Sequence, residues 1–555
     1  MGDSETVGTP QQHERGVVST EDHAQLARRL PPHRGHAEGS FFVIGEGLFA
    51  GEDDRGGVAE AATAGPAGAQ AAAAAAVRRF RFRRLGPKGK QLPKPLRVIV
   101  SKAMTAPGGG QTGIPAGYTY LGQFIDHDLT FDKTDLGPDV SPAEVLQNRS
   151  PALDLDSLYG AGPGNPGSAK FYQGNRRKLK TGKTSDAGPQ NPGRPGFDLP
   201  RAGSKPLIPD VRNDENLAVG QTHLAFIRFH NRVVDELSSV PADQRFRRAR
   251  RLVTKHYQWM IRHDYLPRIC EPAVVDDVFQ NGRKVFEKNA DPEDVPTMPV
   301  EFSVAAFRLG HSMVRDDYQW NAVFFGRGAD LPTLFAFSGT GGFLSKSSPL
   351  PGNWPADWRR LYDFPAAGHL GLAAPPGMFN RAMRIDTRLV DPLGELPPGT
   401  INRDTPPADR NKANLAFRNL DRARMLRLAT GQGMADFLNT KGVPVTKLTR
   451  AQIRDGDGGA SLAGLSTPQR KAFLDDTPLW FYILREAELN GGKLTGVGAR
   501  IVVETFHRAM EGSGASIVRD TNFKPQFGPD DQTFTMPDLL FFAFEGNPAL
   551  LNPVK

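Results

Sequence analysis

A histidine flanked by two acids inside an apolar stretch is the strongest chemical signal in the sequence. Residues 118–131 read YTYLGQFIDHDLTF, in which Asp126 and Asp128 flank His127, and Gln123 lies four positions earlier on the same helix face. An imidazole, with an unperturbed pKa of about 6.5, can accept and return a proton near neutral pH. The segment indicates a site of proton transfer. A solvated pair of acids around a buried histidine is the alternative.

Three later segments also set charged or hydrogen-bonding residues into apolar or helix-forming surroundings. The segments are 210–237 with Arg212 and Glu215, 302–314 with Arg308 and His311, and 415–424 with Asn419. Arg212 and Glu215 are three positions apart, where a helix would begin, and Arg308 and His311 interrupt an apolar helix. These three segments are the further candidates for chemistry in the sequence.

The composition narrows the kinds of site that the chain can build. Cys270 is the only cysteine, so intramolecular disulfides, cysteine-based zinc sites and thiolate-bound iron–sulfur clusters are excluded. Any metal must be held by histidine and oxygen ligands. His223 and His230, like His256 and His263, are seven positions apart, but neither pair has a third ligand at helical spacing. We interpret these four histidines as core or capping residues.

Length and hydropathy limit the classes of protein to which the chain can belong. With 60 glycines and 46 prolines among 555 residues, the chain is expected to be folded but rich in loops. Its longest apolar runs, residues 71–77 and 539–544, are far shorter than the ~20 residues that cross a bilayer, so no transmembrane segment is expected. The densest basic cluster, residues 78–94, carries no nucleic-acid recognition motif, and we expect no nucleic-acid partner.

Apolar periodicity predicts a mostly helical domain behind an N-terminal arm. Residues 1–90 are predicted to form a polar, partly low-complexity arm, and residues 91–555 a single domain. The long connections 160–209 and 315–406 are rich in glycine, proline, asparagine and aspartate, and segments of this length tend to be functional. The predicted helices are 220–237, 247–266, 300–314, 411–428 and 476–488.

The four segments, in this order, resemble the animal-type haem peroxidases of the peroxidase–cyclooxygenase superfamily, the group of myeloperoxidase and lactoperoxidase. The resemblance is greatest to the bacterial branch and runs from about residue 80 to the C-terminus. GQFIDHDLTF, R-x-x-E-N and FRLGH together form a specific combination. The resemblance implies a mainly α fold, a single large haem-peroxidase domain with long Gly/Pro-rich loops and little β-structure.

By motif, the resemblance implies residues on two sides of a haem b group. On the distal side Gln123, His127 and Arg212 match the catalytic set. His127 would move a proton between the two peroxide oxygens, and Arg212 would stabilise charge on the departing oxygen. On the proximal side His311 matches the axial iron ligand, and Asn419 would accept a hydrogen bond from its second ring nitrogen.

Three further residues are implied to contact haem. Asp126 and Glu215 match the carboxylates that form esters with haem methyl groups in the vertebrate members, and linked and unlinked carboxylates both stay open here. Asn216 stands where myeloperoxidase has a methionine, so the sulfonium link of that enzyme is excluded. Arg308, one turn before His311, is expected near a haem propionate, with an ordinary surface arginine as the alternative.

The resemblance also implies a calcium site. The implied ligands are Asp128, Ser150, the carbonyl of Ala152, Asp154 and Asp156. Asp128 should face away from the haem if His127 faces it, because adjacent helix positions are about 100° apart. Asp156 stands where the vertebrate enzymes have serine, and several carboxylates suit a hard cation. The alternative is a plain turn capped by its own aspartates.

The implied function is a haem peroxidase that uses hydrogen peroxide to oxidise small aromatic donors, halides or thiocyanate through a ferryl intermediate. A fatty-acid dioxygenase of the same superfamily is disfavoured, because Arg308 occupies the position where the cyclooxygenases carry their radical tyrosine. The other alternative is a non-enzymatic haem-binding or adhesive protein. The N-terminus lacks the features of a Sec signal, so a bacterial protein that is cytoplasmic or non-classically secreted is expected, with a monomer favoured.

Overall fold

Helices are the predominant regular elements of the structure, a computed structural model that describes residues 80–131, 141–142, 147, 149–186, 196–203, 205–339, 344, 349–396 and 409–554. The longer helices are α1 Lys94–Met104, α2 Gly117–Leu129, α3 Leu217–Glu236, α4 Ala242–Met260, α5 Pro272–Asn281, α6 Leu415–Met425, α7 Gly431–Thr440, α8 Thr467–Asp475, α9 Leu479–Leu489, α10 Gly496–Glu511 and α11 Met536–Ala543. The shorter ones are Asp156–Tyr159, Pro166–Ala169, Leu266–Ile269, Val300–Val304, Gly310–Met313, Leu331–Ala336, Arg450–Asp455 and Pro548–Leu551.

The remaining elements are short. Single turns of 3₁₀ helix are Val211–Asp214, Ala306–Leu309, Trp358–Arg360, Pro365–Ala367, Leu370–Leu372, Asp391–Gly394 and Arg410–Ala413. Phe82–Arg83 pairs in parallel with Met298–Pro299. The antiparallel pairs are Gln111–Pro115 with Arg381–Met383, Gly182–Lys183 with Phe197–Asp198, Arg201–Ala202 with Lys205–Pro206, and Asp317–Gln319 with Phe325–Asp330. The predicted mainly α fold class, with little β-structure, is confirmed.

The core is built around α2 and α3, which pack against each other. Every residue of α2 is buried. Apolar residues occur on all sides of the helix, and its polar side chains face other buried groups. Helix α3 also packs against α4 and α11. Gly122 lets α2 approach its neighbours closely, since a Cβ at that position would lie 2.3 Å from the Tyr265 hydroxyl. The candidate site residues on α2 are therefore held in a rigid environment.

The segment that carries His311 differs from its prediction. One continuous helix over 300–314 is wrong, because the backbone breaks at Ala305 (φ −133°, ψ −70°). Val300–Val304 is followed by the 3₁₀ turn Ala306–Leu309 and then by Gly310–Met313. Because of this break, Arg308 lies in the 3₁₀ turn and does not continue the helix Val300–Val304.

The other predicted helices differ from the structure at their ends. Helices α3 and α9 lie within a few residues of the predicted 220–237 and 476–488. Helix α4 starts earlier than predicted and passes into a π-helical turn, Ile261–Tyr265. Helix α6 begins later than the predicted 411, because Asn414 caps it by accepting a hydrogen bond from the Phe417 N–H at 3.0 Å.

The described end of the predicted arm is part of the domain. Phe82 is buried and pairs with Met298, and the backbone N–H groups of Leu85 and Gly86 donate to the Glu301 carboxylate at 2.8 and 3.0 Å. These contacts fix the arm against the segment that leads to His311. Residues 1–79 of the predicted arm lie outside the described residues. None of the helices in the described ranges is long and apolar enough to cross a membrane.

Candidate active site

His127 is fully buried on α2 with one ring nitrogen bonded and the other open. Its Nδ1 lies 2.9 Å from the Asn213 side-chain oxygen. Its Nε2 is buried and has no hydrogen-bond partner among the described residues. Burial, with the charge of Arg212 acting in the same direction, lowers the pKa of His127 to about 3. The imidazole is therefore neutral and offers a buried nitrogen that can accept a proton.

Gln123 lies one turn before His127 and is fixed by the segment that enters α3. Its amide nitrogen donates to the Glu215 carboxylate at 3.3 Å, and its amide oxygen accepts a hydrogen bond from Asn216 at 3.0 Å. Asn216 also caps α3 by accepting from the Val219 N–H. The structure thus brings Gln123 and Glu215 together, although they are far apart in the sequence.

Arg212 reaches the distal side through an acidic partner that the sequence analysis missed. Its guanidinium donates to both carboxylate oxygens of Asp210, at 3.0 and 2.7 Å, and to the backbone carbonyl of His127 at 2.9 Å. The guanidinium carbon lies 4.3 Å from the centre of the Phe131 ring. Burial acts to raise the pKa of Asp210, but the charges of Arg149 and Arg212 hold it well below its usual value. The D-x-R spacing was the only sequence signal for this pair.

Asp126 connects the distal helix to the segment of Arg308. One carboxylate oxygen accepts from the Thr130 hydroxyl at 3.1 Å, and the other is buried without a partner among the described residues. Burial raises the pKa of Asp126 to about 6, against the opposing charges of Arg212 and Arg308. The carboxyl group is therefore within electrostatic range of arginines from both sides of the predicted haem site.

The proximal candidates form a buried hydrogen-bonded chain. Arg308 donates through Nη1 to the Asn419 side-chain oxygen at 2.6 Å and through Nε to the Ser303 carbonyl at 3.0 Å. The Asn419 amide nitrogen lies 2.7 Å from His311 Nδ1. Arg308 is 4% exposed, so it is not the surface arginine of the alternative interpretation. The Trp480 ring lies edge-on to His311, with 6.4 Å between ring centroids.

The orientation of Asn419 differs from the sequence expectation. Asn419 was expected to accept a hydrogen bond from His311, but its amide nitrogen faces the ring. The physical reason is Arg308, which has only N–H donors and therefore takes the amide oxygen. Sequence reasoning paired Asn419 with His311 and did not foresee Arg308 as the third member.

Three carboxylates converge where the calcium site was expected. Oxygen atoms of Asp128, Asp154 and Asp156 lie within 4.8 Å of one another. Asp128 accepts hydrogen bonds from the Ser157 hydroxyl at 2.8 Å and the Leu155 N–H at 3.2 Å. Burial, followed by the charges of Asp156 and Asp154, raises the pKa of Asp128 well above its usual value. A cation would relieve the repulsion among these groups.

The loop that carries two of these acids also bonds to itself. The Ser150 N–H donates to Asp156 at 3.1 Å, and the Asp156 N–H donates to Asp154 at 3.2 Å. The Ala152 N–H donates to the Ser150 hydroxyl at 3.3 Å, while the Ala152 carbonyl accepts from the Asp154 N–H at 3.0 Å. Leu155 adopts a positive φ of 61°, which folds the loop back. The bonds of a self-capped turn are therefore present together with the converging carboxylates.

Of the other histidines, His230 and His256 are buried as expected of core residues, whereas His263 is exposed and lies against the Trp259 ring, with 4.2 Å between ring centroids. His230 contacts the Tyr159 hydroxyl at 3.0 Å and the Arg177 carbonyl at 2.9 Å. His256 contacts the Leu252 carbonyl at 2.8 Å and the backbone N–H of Gln526 at 2.8 Å. Among the described residues the acidic triplet is the only group of His, Cys, Asp and Glu side chains with metal-ligand spacing. Cys270 is buried, and burial raises the pKa of its thiol.

Residues 132–327, which contain Arg212 and His311, match the animal haem peroxidase family model. The resemblance to the animal haem peroxidases is confirmed. Two curated relatives are similar to about a third of the chain. A peroxidase-like protein of Margaritifera margaritifera is 28% identical over 202 residues, which are 34% of this chain and 25% of that protein. Thyroid peroxidase of Rattus norvegicus is 28% identical over 192 residues, 31% of this chain and 20% of that protein.

The match to these animal haem peroxidases is partial in length, because the chain spans about a fifth to a quarter of each relative. Solved structures share the fold over nearly the whole chain. Peroxidase A from Dictyostelium discoideum has a TM-score of 0.52 at 16% identity, covering 86% of this chain and 95% of that chain. Oryza sativa fatty acid alpha-dioxygenase has a TM-score of 0.50 at 12% identity, covering 96% and 89%. Membership of a bacterial branch stays a prediction.

Proposed function

We propose that this protein is a haem peroxidase that reduces hydrogen peroxide at the expense of small aromatic donors, halides or thiocyanate. The observation that carries the proposal is the buried Nε2 of His127, which has no hydrogen-bond partner among the described residues, beside Arg212, which donates to the His127 backbone carbonyl. A neutral imidazole with an open acceptor nitrogen beside a fixed guanidinium is the arrangement that splitting a peroxide bond requires.

The residues present fit a haem group. His127 Nε2 and Asp126 Oδ2 are both buried without partners among the described residues. A buried polar atom without a hydrogen bond costs about 1–3 kcal/mol, and such atoms are explained when they face a bound group. His311 offers an imidazole whose Nδ1 lies 2.7 Å from the Asn419 amide nitrogen. Iron binding through Nε2 requires the ring proton on Nδ1 and the Asn419 oxygen turned toward it, which is the usual arrangement of an axial histidine. A histidine nitrogen is a common axial ligand of haem iron.

Haem bound between these residues would supply the two electrons that cleave the O–O bond and recover them from the donor. His127 would accept a proton from one peroxide oxygen and return it to the other, which leaves as water. Arg212 stabilises negative charge on that oxygen, and Asp210 keeps the guanidinium oriented. Gln123, held by Glu215 and Asn216, lines the same side.

His311 is the residue that would hold the iron, and Arg308, bonded to Asn419 and Ser303, is the residue that would pair with a propionate. Asp126 and Glu215 are the carboxylates proposed to contact haem or to link to it through esters. Asp126 suits either state, because its pKa of about 6 lets it be neutral or ionised near neutral pH.

We further propose that the carboxylate cluster binds calcium. Support comes from the convergence of Asp128, Asp154 and Asp156 and from their raised pKa values, which reflect burial and, for Asp128 and Asp156, repulsion by neighbouring carboxylates. Ser150 and the Ala152 carbonyl are the additional oxygen ligands proposed from the same loop. A divalent ion would be held by hard oxygen donors alone.

Peroxide-dependent turnover of guaiacol and of iodide by haem-loaded protein tests the proposed function. We expect turnover of at least one donor, lost in His127→Ala, and a visible spectrum that changes on adding peroxide alone. A fully haem-loaded sample without turnover would instead favour a haem carrier. A dioxygenase is not favoured by the site, because Arg308, bonded to Asn419 and Ser303, occupies the position of the radical tyrosine.

A further inference from the structure

Two side chains behind His127 hold its ring in one orientation. Its Nδ1 lies 2.9 Å from the Asn213 oxygen, and the Asn213 amide nitrogen lies 3.0 Å from Nδ1 of His223. All three residues are 0% exposed. An amide oxygen only accepts hydrogen bonds and an amide nitrogen only donates them. In this arrangement His127 carries its proton on Nδ1, and His223 accepts at its own Nδ1.

The local turn explains how Asn213 arrives at this position. Val211–Asp214 is a 3₁₀ turn capped by Asp210, whose side chain accepts from the Arg212 N–H. Consecutive residues of this turn contact His127 at two points, since Arg212 donates to its carbonyl and Asn213 contacts its ring. The turn therefore couples the orientation of the guanidinium to that of the imidazole.

His223 has an unusual environment for a core residue. Its Nε2 is buried without a partner among the described residues, and its ring packs edge-on against Phe124 with 5.7 Å between centroids. An apolar side chain would fill the same space without the cost of an unsatisfied polar atom. The hydrogen bond to Asn213 is the polar contact that distinguishes histidine from leucine at this position.

We propose that Asn213 and His223 are positioning residues that keep the lone pair of His127 on Nε2, toward the bound peroxide. The proposal rests on the proposed peroxidase function. If the Asn213 amide were reversed, its nitrogen would donate to His127 Nδ1, the ring proton would move to Nε2, and His127 could not accept the first proton from peroxide. While its own ring proton is on Nε2, His223 accepts from the Asn213 amide nitrogen at Nδ1 and holds the amide in this orientation, so reversal requires His223 to move its proton as well.

The ring tautomer can be measured without catalysis. Full-length chain labelled with ¹⁵N in its histidine rings, before haem is added, gives separate signals for protonated and unprotonated nitrogens, and His127→Gln identifies those of His127. We expect Nδ1 protonated and Nε2 unprotonated in the wild type. His223→Leu should give a mixture of the two tautomers. His256→Leu, which removes another buried imidazole with backbone partners, should leave the His127 signals unchanged.

Two variants at Asn213 separate positioning from folding. Asn213→Asp keeps an acceptor oxygen and should retain the Nδ1-protonated ring, whereas Asn213→Leu should lose it. In haem-loaded protein the second-order rate of reaction with peroxide should fall about 100-fold in Asn213→Leu and about tenfold in His223→Leu, with unchanged haem content. Asn213→Asp should react faster than Asn213→Leu.

The outcomes of these experiments are distinguishable. A wild-type His127 protonated on Nε2 would overturn the positioning proposal even if the enzyme is an active peroxidase. So would His223→Leu with an unchanged tautomer and rate. A wild type that loads haem but does not react with peroxide would overturn the proposed function, while the ring signals would still report whether Asn213 and His223 control the tautomer.

Discussion

The guanidinium of Arg149 lies 3.8 Å from the carboxylate of Asp156, a member of the carboxylate cluster. The same guanidinium donates to Asp210 at 2.8 Å, and Asp210 binds Arg212 through two hydrogen bonds. A buried chain of alternating charges therefore joins the proposed cation site to the distal arginine. The cation and Arg212 are expected to influence each other through this chain as well as through the adjacent residues Asp128 and His127.

Replacement of Arg149 tests the importance of this chain for stability. Arg149→Met leaves Asp210 with Arg212 as its remaining cationic partner among the described residues and removes the arginine beside Asp156. Removing one member of a buried ion pair costs about 3–5 kcal/mol. We expect a decrease of about that size in the free energy of unfolding, measured by urea denaturation. Lys94→Met removes the exposed pair with Asp409 and should change stability by about 1 kcal/mol or less. Equal effects of the two substitutions would contradict the prediction.

Removal of the cation should reduce stability and activity together. Asp154→Ala or treatment with a chelator takes away a ligand or the ion, and the remaining buried carboxylates then repel one another. Thermal unfolding and peroxidase assays on the same samples check this, with elemental analysis expected to give about one calcium per chain in dialysed wild type. Asp436→Ala, at an exposed acid paired with Lys447, is the control. Fully active, metal-free protein would show that the loop is a self-capped turn.

His311→Ala tests the proximal assignment. The imidazole is proposed as the axial ligand, so its loss should abolish stable haem binding or change the Soret band while leaving the far-ultraviolet circular dichroism nearly unchanged. His230→Ala removes a buried histidine that contacts Tyr159 and the Arg177 carbonyl, and it should keep the haem spectrum. Wild-type haem content and peroxidase rate in His311→Ala would show that another residue binds the iron.

The distal helix could be predicted from local sequence, because the spacing of Gln123 and His127 in an apolar stretch defines one helix face. The arrangement of Arg308, His311 and Asn419 could not be predicted from local sequence. The break at Ala305 is not marked by proline or by a change in apolar periodicity, and Asn419 is turned by Arg308, which lies 111 positions away in the sequence. Asp210 and Asn213 become partners of Arg212 and His127 only in the folded chain, where their segment contacts α2. In the sequence the only indication of these roles is that both residues lie close to Arg212.

The distal residues should affect reaction with peroxide more than haem binding. His127→Ala removes the proton acceptor and Arg212→Ala removes the charge that stabilises the departing oxygen, and each should slow the reaction about 100-fold or more. Stopped-flow absorbance of haem-loaded protein mixed with peroxide measures the rate, and the haem content of the same samples separates a catalytic effect from lost binding. A near-wild-type rate in either variant would remove that residue from the mechanism.

Glu486 should make stability depend on pH. It is buried on α9 and accepts hydrogen bonds from the N–H groups of Val497 and Gly498, at 3.3 and 3.2 Å. Burial raises its pKa from the usual 4.5 to about 8, against the effect of these two hydrogen bonds. Between pH 4.5 and 8 the unfolded chain has lost a proton that the folded chain keeps, so the free energy of unfolding falls as pH rises.

Glu486→Gln isolates this contribution because glutamine keeps the acceptor oxygen and cannot ionise. The unfolding free energy of the variant minus that of the wild type should therefore increase with pH, by on the order of 3 kcal/mol between about pH 5 and pH 8, and level off at higher pH. Urea denaturation of both proteins across this range gives the difference directly, and effects of the other titrating groups cancel in it. A difference that stays constant with pH would mean that Glu486 ionises at the same pH in the folded and unfolded chains.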